Sequence, residues 1–162
     1  MYKGKGFDYE PELPDIVCEL GYRFTEGAIV PTKDENFAKT YEDPYAPYAL
    51  PGGRVPHVTL ASGERTLSNL DLIKSNFVLF TDESESPWHK AAQQQHVEVD
   101  VYAINDTSLY QDRDGSASSI WKLAGGEALL VRPDGIIAWR SGKVQSQHKE
   151  ALAQALKTIL KN

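Results

Sequence analysis

The stretch EALLVRPDGIIAWR, residues 127–140, leaves this chain the least conformational freedom. Two apolar runs flank Pro133-Asp134-Gly135. Proline fixes φ and glycine accepts the left-handed backbone, so the segment reads as a β-hairpin. Upstream, FVLFTD (77–82) is a continuous apolar run of strand length, as a buried strand in an α/β sheet requires. SPWHKAAQQQ (86–95) opens with Ser86 as N-cap and Pro87 at the first helical position, and puts Trp88, Ala91 and Ala92 on one face. VEVDVYAI (97–104) alternates Val97, Val99 and Val101 inward against Glu98 and Asp100. SASSIWKLA (116–124) predicts a short helix capped by Ser116, with Ala117, Ile120, Trp121 and Ala124 on its buried face. QHKEALAQALKTILKN repeats apolar residues at 151, 152, 155, 156, 159 and 160, a helix laying one stripe on the sheet.

The order is therefore strand, helix, strand, helix, hairpin, helix. A β–α–β pair gives parallel strands and the hairpin adds antiparallel ones. The expected fold is α/β and thioredoxin-like, a mixed central sheet flanked by helices over residues 51–162. Residues 1–50 differ: they are rich in Gly, Pro, Tyr and acids. They predict an extended arm laid over the domain or over another protein. ELGYRFTEGAIVP within it has the Tyr, Phe, Ile and Val content of one or two short strands, while prolines at 31, 44, 47, 51 and 56 argue against a helix of any length. PGGRVPHVTL (51–60) stiffens the chain with Pro51 and Pro56, turns it at Gly52-Gly53, and aims a strand over His57–Leu60 while presenting Arg54 and His57.

Composition narrows the function classes. The 162 residues fit one domain with its own core. With 17 basic against 23 acidic residues the net charge is −6, and no Lys/Arg run tracks a phosphate backbone, so nucleic acid is not an expected partner. No segment is long and apolar enough for a membrane span or a signal peptide, which makes cytoplasmic the expectation. Met1, and an arm unlike an expression tag, favour a complete gene product.

Thioredoxin-like redox chemistry needs Cys-x-x-Cys where the first buried strand meets its helix. That junction reads TDESESPWHK, and the single cysteine, Cys18, lies in the arm. The proline usually found before the hairpin strand is also missing, with AGGEALL in its place. Glycines occur without the strand-to-helix turn that cradles a pyrophosphate, so no nucleotide cofactor is expected in this chain. His57, His89, His96 and His148 form no metal-ligand pattern. QDRDGS (111–116) lacks the third acid and the closing glutamate of a calcium loop and reads as turn plus helix cap. Acid–base candidates are His57 and His89, with Asp82, Asp112 and Asp114 as carboxylate partners. Interface candidates are Arg54, His57, Trp88, Tyr110 and Arg140. Packing accounts for Trp121 and Trp139. Trp88, at a helix start beside His89, has a stronger claim to function.

DPYAPYALPGGRVPHVTL, TLSNLDL, FVLF and LLVRPDGIIAWR, together with LGYRFTEGAIV, resemble the carboxy-terminal domain of class A FAD-dependent aromatic hydroxylases, the phenol- and polyketide-hydroxylase group. The resemblance covers roughly residues 20–160. It implies a thioredoxin-like domain without redox cysteines that caps a flavoprotein and contributes to subunit contacts, FAD and substrate being held by preceding domains. It implies that Arg54 and His57 face the flavin domain. Two functions follow as expectations. One is a structural or accessory module of phenolic or polyketide hydroxylation, partnered by a flavin hydroxylase domain or by a second copy. The other is an independent cofactor-free enzyme of isomerase or cyclase type, or a binding protein, acting on an aromatic polyketide.

Overall fold

The computed structural model describes residues 14–161 apart from 35, 85, 124, 144 and 145. The elements run α1 (Asp15–Leu20), β1 (Thr59–Ser62), β2 (Arg65–Ser68), a 3-10 turn at Asn69–Leu72, β3 (Phe77–Thr81), α2 (Pro87–Gln93), β4 (Val99–Ala103), α3 (Ser116–Trp121), β5 (Ala128–Val131), β6 (Ile137–Arg140) and α4 (His148–Leu160).

The central sheet has the order β4-β3-β5-β6. β3 and β4 are parallel because α2 carries the chain back across the sheet. β5 pairs antiparallel with both β3 and β6. This is the thioredoxin arrangement. Successive residues of a strand point to opposite faces, and the apolar runs of β3 and β5 therefore feed two cores. Val78, Phe80, Leu129 and Val131 face Trp121 of α3 and Leu60 of β1. Leu79, Leu130 and Ala138 face Trp88 of α2 and Leu152, Leu156 and Ile159 of α4. Ser86 caps α2 as its sequence predicts, its Oγ accepting from Trp88 N–H at 3.3 Å, with Pro87 at the first turn. The turn at Pro133-Asp134-Gly135 is closed by Gly135 N–H to Arg132 O at 2.9 Å, with Gly135 at φ +81°.

Four local expectations are corrected. First, the strand after the proline loop starts at Thr59, not His57, because residues 55–58 are committed elsewhere: Val55 N–H bonds Gly135 O and Val58 N–H bonds Asn69 Oδ1. β1 then turns at Gly63-Glu64 into β2. Second, the strand expected from Val97 begins at Val99, where pairing with Phe77 starts. Third, Ser116 does not cap α3. Asp112 does, its carboxylate accepting from Ala117 N–H (2.9 Å), Ser118 N–H (2.8 Å) and Ser118 Oγ (2.7 Å). The helix stops at Trp121 because Lys122 is left-handed, and Ala124 lies outside the described residues. Fourth, residues 19–31 hold no strand among the described residues, only an isolated bridge at Tyr22–Tyr41, and the arm contains the helix α1. The arm lies on the domain: Ile29 is buried, and Val30 N–H bonds Ala138 O at 2.7 Å on the outer strand β6.

Candidate functional site

The proline-glycine loop is held from both sides. Gly52 N–H donates to Ile137 O at 2.8 Å, and Gly53 O accepts from Ile137 N–H at 2.9 Å, so the loop extends the sheet beyond β6. On its other flank Gly52 O accepts from Phe24 N–H at 2.9 Å. Gly52 has φ +90°, and a Cβ there would fall 1.8 Å from Phe24 O, so no other residue fits. Pro56 O accepts from Trp121 Nε1 and Asn69 Nδ2, each at 3.2 Å. Gly52, Gly53, Val55 and Pro56 are thus buried with their backbone tied to the sheet, to Phe24 and to α3, while Arg54 and His57 are exposed.

Both side chains border a groove of about 690 Å³ between loop and arm, floored by Pro56 and Ile73 and rimmed by Tyr45 and Leu70. Tyr45 is 82% exposed and Leu70 46%, a local apolar surface beside a cation. Among the described residues no carboxylate pairs with Arg54 or His57.

Beneath the loop lies a charged hub that sequence reasoning missed. The Arg23 guanidinium is buried and donates to Asn36 O at 2.6 Å and Pro51 O at 3.1 Å. Its Nε sits 3.8 Å from Glu42 Oε2, and that oxygen accepts from Tyr48 N–H at 2.9 Å. Burial lowers the pKa of Arg23, and Glu42 pulls it back up. Burial likewise raises Glu42, opposed by the Tyr48 N–H and by Arg23. No periodicity marks two charges this far apart in sequence. The available signal was an Arg flanked by aromatics, Tyr22 and Phe24.

The other candidates lie apart. Trp88 is fully buried between α2 and α4, edge-on to Trp139 at 5.7 Å and to His148 at 4.6 Å, with its Nε1 donating to Gly126 O at 2.8 Å. His89 is half-buried, its Nδ1 3.4 Å from Ser86 O. Tyr110 packs edge-on against Tyr102 at 5.5 Å beside the β4 edge. Arg140 is occupied, donating to Trp121 O (2.8 Å), Lys122 O (2.7 Å) and Glu127 Oε2 (3.1 Å), which ties the end of α3 to β6. Asp82 accepts from Gly126 N–H and Asp112 caps α3. Asp114 is exposed and accepts from Ser116 N–H. Among the described residues no ion pair joins a histidine to a carboxylate, so the structure does not assemble the acid–base pairs considered above. It places Arg54 and His57 on one groove, and Asp112 and Asp114 together at the start of α3.

Residues 48–162 match the family described as aromatic-ring hydroxylase, C-terminal. The chain is 32% identical over 158 residues to 4-methyl-5-nitrocatechol 5-monooxygenase of a Burkholderia species, covering 93% of this chain and 29% of that protein. It is 34% identical over 149 residues to 2,4-dichlorophenol 6-monooxygenase of Delftia acidovorans, covering 88% and 25%. Among solved structures, aklavinone-11 hydroxylase in a ternary complex with FAD and aklavinone superimposes with a TM-score of 0.82 at 28% identity, covering 93% of this chain and 28% of that one. The chain therefore spans between a quarter and three tenths of the length of these relatives.

Proposed function

The chain belongs to the family of aromatic-ring hydroxylase carboxy-terminal domains, and from that premise we propose that it is a non-redox module of aromatic or polyketide hydroxylation, docking through the Arg54–His57 groove onto a flavoprotein that carries FAD and substrate. The observation that carries this reading is the loop itself. A backbone fixed on both sides by Ile137 and Phe24 displays an arginine without an ion pair among the described residues, and a histidine, beside exposed Tyr45 and Leu70. Rigid display of an arginine next to aromatic and aliphatic side chains is what protein interfaces concentrate their binding energy on. The junction of β3 and α2, where dithiol members of this fold carry out exchange, holds no cysteine here, and Cys18 is exposed on α1. Flavin binding is assigned to the partner, whether that partner precedes this chain covalently or is a separate subunit.

The test is capture of flavoprotein from extracts of the source cells by the tagged 162-residue chain added as a separate polypeptide, with bound flavin as the readout. Arg54→Glu lowers the flavin captured by about tenfold or more, as reversal of an interface arginine does. Its thermal unfolding stays at the wild-type value, because Arg54 is exposed and forms no ion pair among the described residues. If the variant captures as much flavin as the wild type, this groove is not the docking face.

A further inference from the structure

Between Val30 and Ala49 the chain runs through an exposed loop, residues 31–48, in which one described residue is buried, and that residue is the carboxylate Glu42. Both ends of the loop are pinned. Val30 bonds Ala138 on β6, and Ala49 is buried against the core with φ +51°, a backbone conformation that costs a non-glycine residue energy and marks a bend under local strain. Between the pins the hold is polar. Arg23 N–H bonds Thr40 O at 2.7 Å, Glu42 N–H bonds Gly21 O at 2.9 Å, the Arg23 guanidinium grips Asn36 O, and it lies 5.8 Å from the centre of the Tyr48 ring.

The same loop walls two cavities. It contributes Pro44 and Tyr45 to the Arg54–His57 groove, and Asn36 and Tyr48 to a second cavity of about 850 Å³ that reaches Trp139 and Ile120. The position of the loop therefore decides the shape of the docking face. A segment held by few buried apolar residues belongs to the less stable part of a fold. Its latch is the buried Arg23–Glu42 pair, 3.8 Å apart, in which loss of either charge leaves the other buried without its counter-ion.

We propose that residues 31–48 are a flap, hinged beside Val30 and at Ala49 and latched by Arg23 and Glu42, whose opening reshapes the Arg54–His57 groove while the sheet stays folded. This deepens the docking reading and rests on it for the role of the groove. A partner seated there would hold the flap closed, and by reciprocity a weakened latch would weaken the partner.

Amide hydrogen exchange on the full chain tests the flap without any partner, so its failure is separable from failure of the docking reading. In the wild type the amides of Arg23 and Glu42 exchange at least about tenfold faster than those of Leu79 and Leu130 in the central strands. Glu42→Gln, and separately Arg23→Met, raise exchange at Arg23, Glu42 and Tyr48 by a further factor of about ten or more and leave Leu79 and Leu130 unchanged. Equal protection of loop and strands in the wild type overturns the proposal. So does either variant accelerating loop and strands together, since the loop would then open only when the whole domain unfolds.

Discussion

Gly52→Ala lowers the free energy of unfolding by about 3 kcal/mol or more, the upper range for a single substitution outside the main core. Two effects add. Alanine at φ +90° is strained, and its Cβ would lie 1.8 Å from Phe24 O and 2.9 Å from Phe24 C, both backbone atoms with no rotamer to yield. Relief requires Phe24 to move away, which breaks the Phe24–Gly52 bond and disturbs the two bonds from the loop to Ile137. Gly63→Ala is the control. Its φ is +61° with nothing within 4 Å of the added carbon, so it carries backbone strain alone, about 1 kcal/mol. Urea denaturation of both variants separates the cases. Equal losses would mean that arm and loop are not interlocked at Gly52.

Trp88→Ala destabilises the domain by about 3–5 kcal/mol, the usual cost of deleting a buried tryptophan. The indole fills the space between α2 and α4, stacks edge-on against Trp139 and His148, and satisfies Gly126 O. Trp88→Phe keeps most of the packing and leaves that carbonyl without its donor, which costs about 1–3 kcal/mol. Neither variant, assayed where it remains folded, changes flavin capture by the chain. Normal stability with lost capture in Trp88→Phe would make Trp88 a contact residue and would move the docking face to the β3–α2 end.

The parts of the fold legible in the sequence are those with a short repeat. FVLFT, PDG and the Ser86-Pro87 helix start each announce themselves within a few residues, as does the stripe of α4, whose last member Leu160 is exposed, while the spatial strand order β4-β3-β5-β6 is read from the structure. What was missed rests on partners distant in sequence. α1 is a six-residue helix with no buried residue, so no apolar stripe betrays it. Asp112 caps α3 from the far side of the Asp114-Gly115 turn, where the local pattern pointed to Ser116. Arg23 and Glu42 find each other across two turns of the arm, and the positive φ of Gly52 has its reason in Phe24, which a reading of the loop alone does not supply. The site divides in the same way. Presentation of Arg54 and His57 followed from prolines and glycines beside them, whereas the burial of Trp88 and the internal engagement of Arg140 needed the packed sheet.

The proposed place of this domain in a flavoprotein assembly is tested by the amount of flavin per chain in native material drawn from source cells with an antibody against residues 51–162. Near-stoichiometric flavin is the expected result, carried by a longer chain containing this sequence or by a tightly bound second protein. An isolated 18.0 kDa species with neither flavin nor a flavoprotein beside it would rule that assembly out.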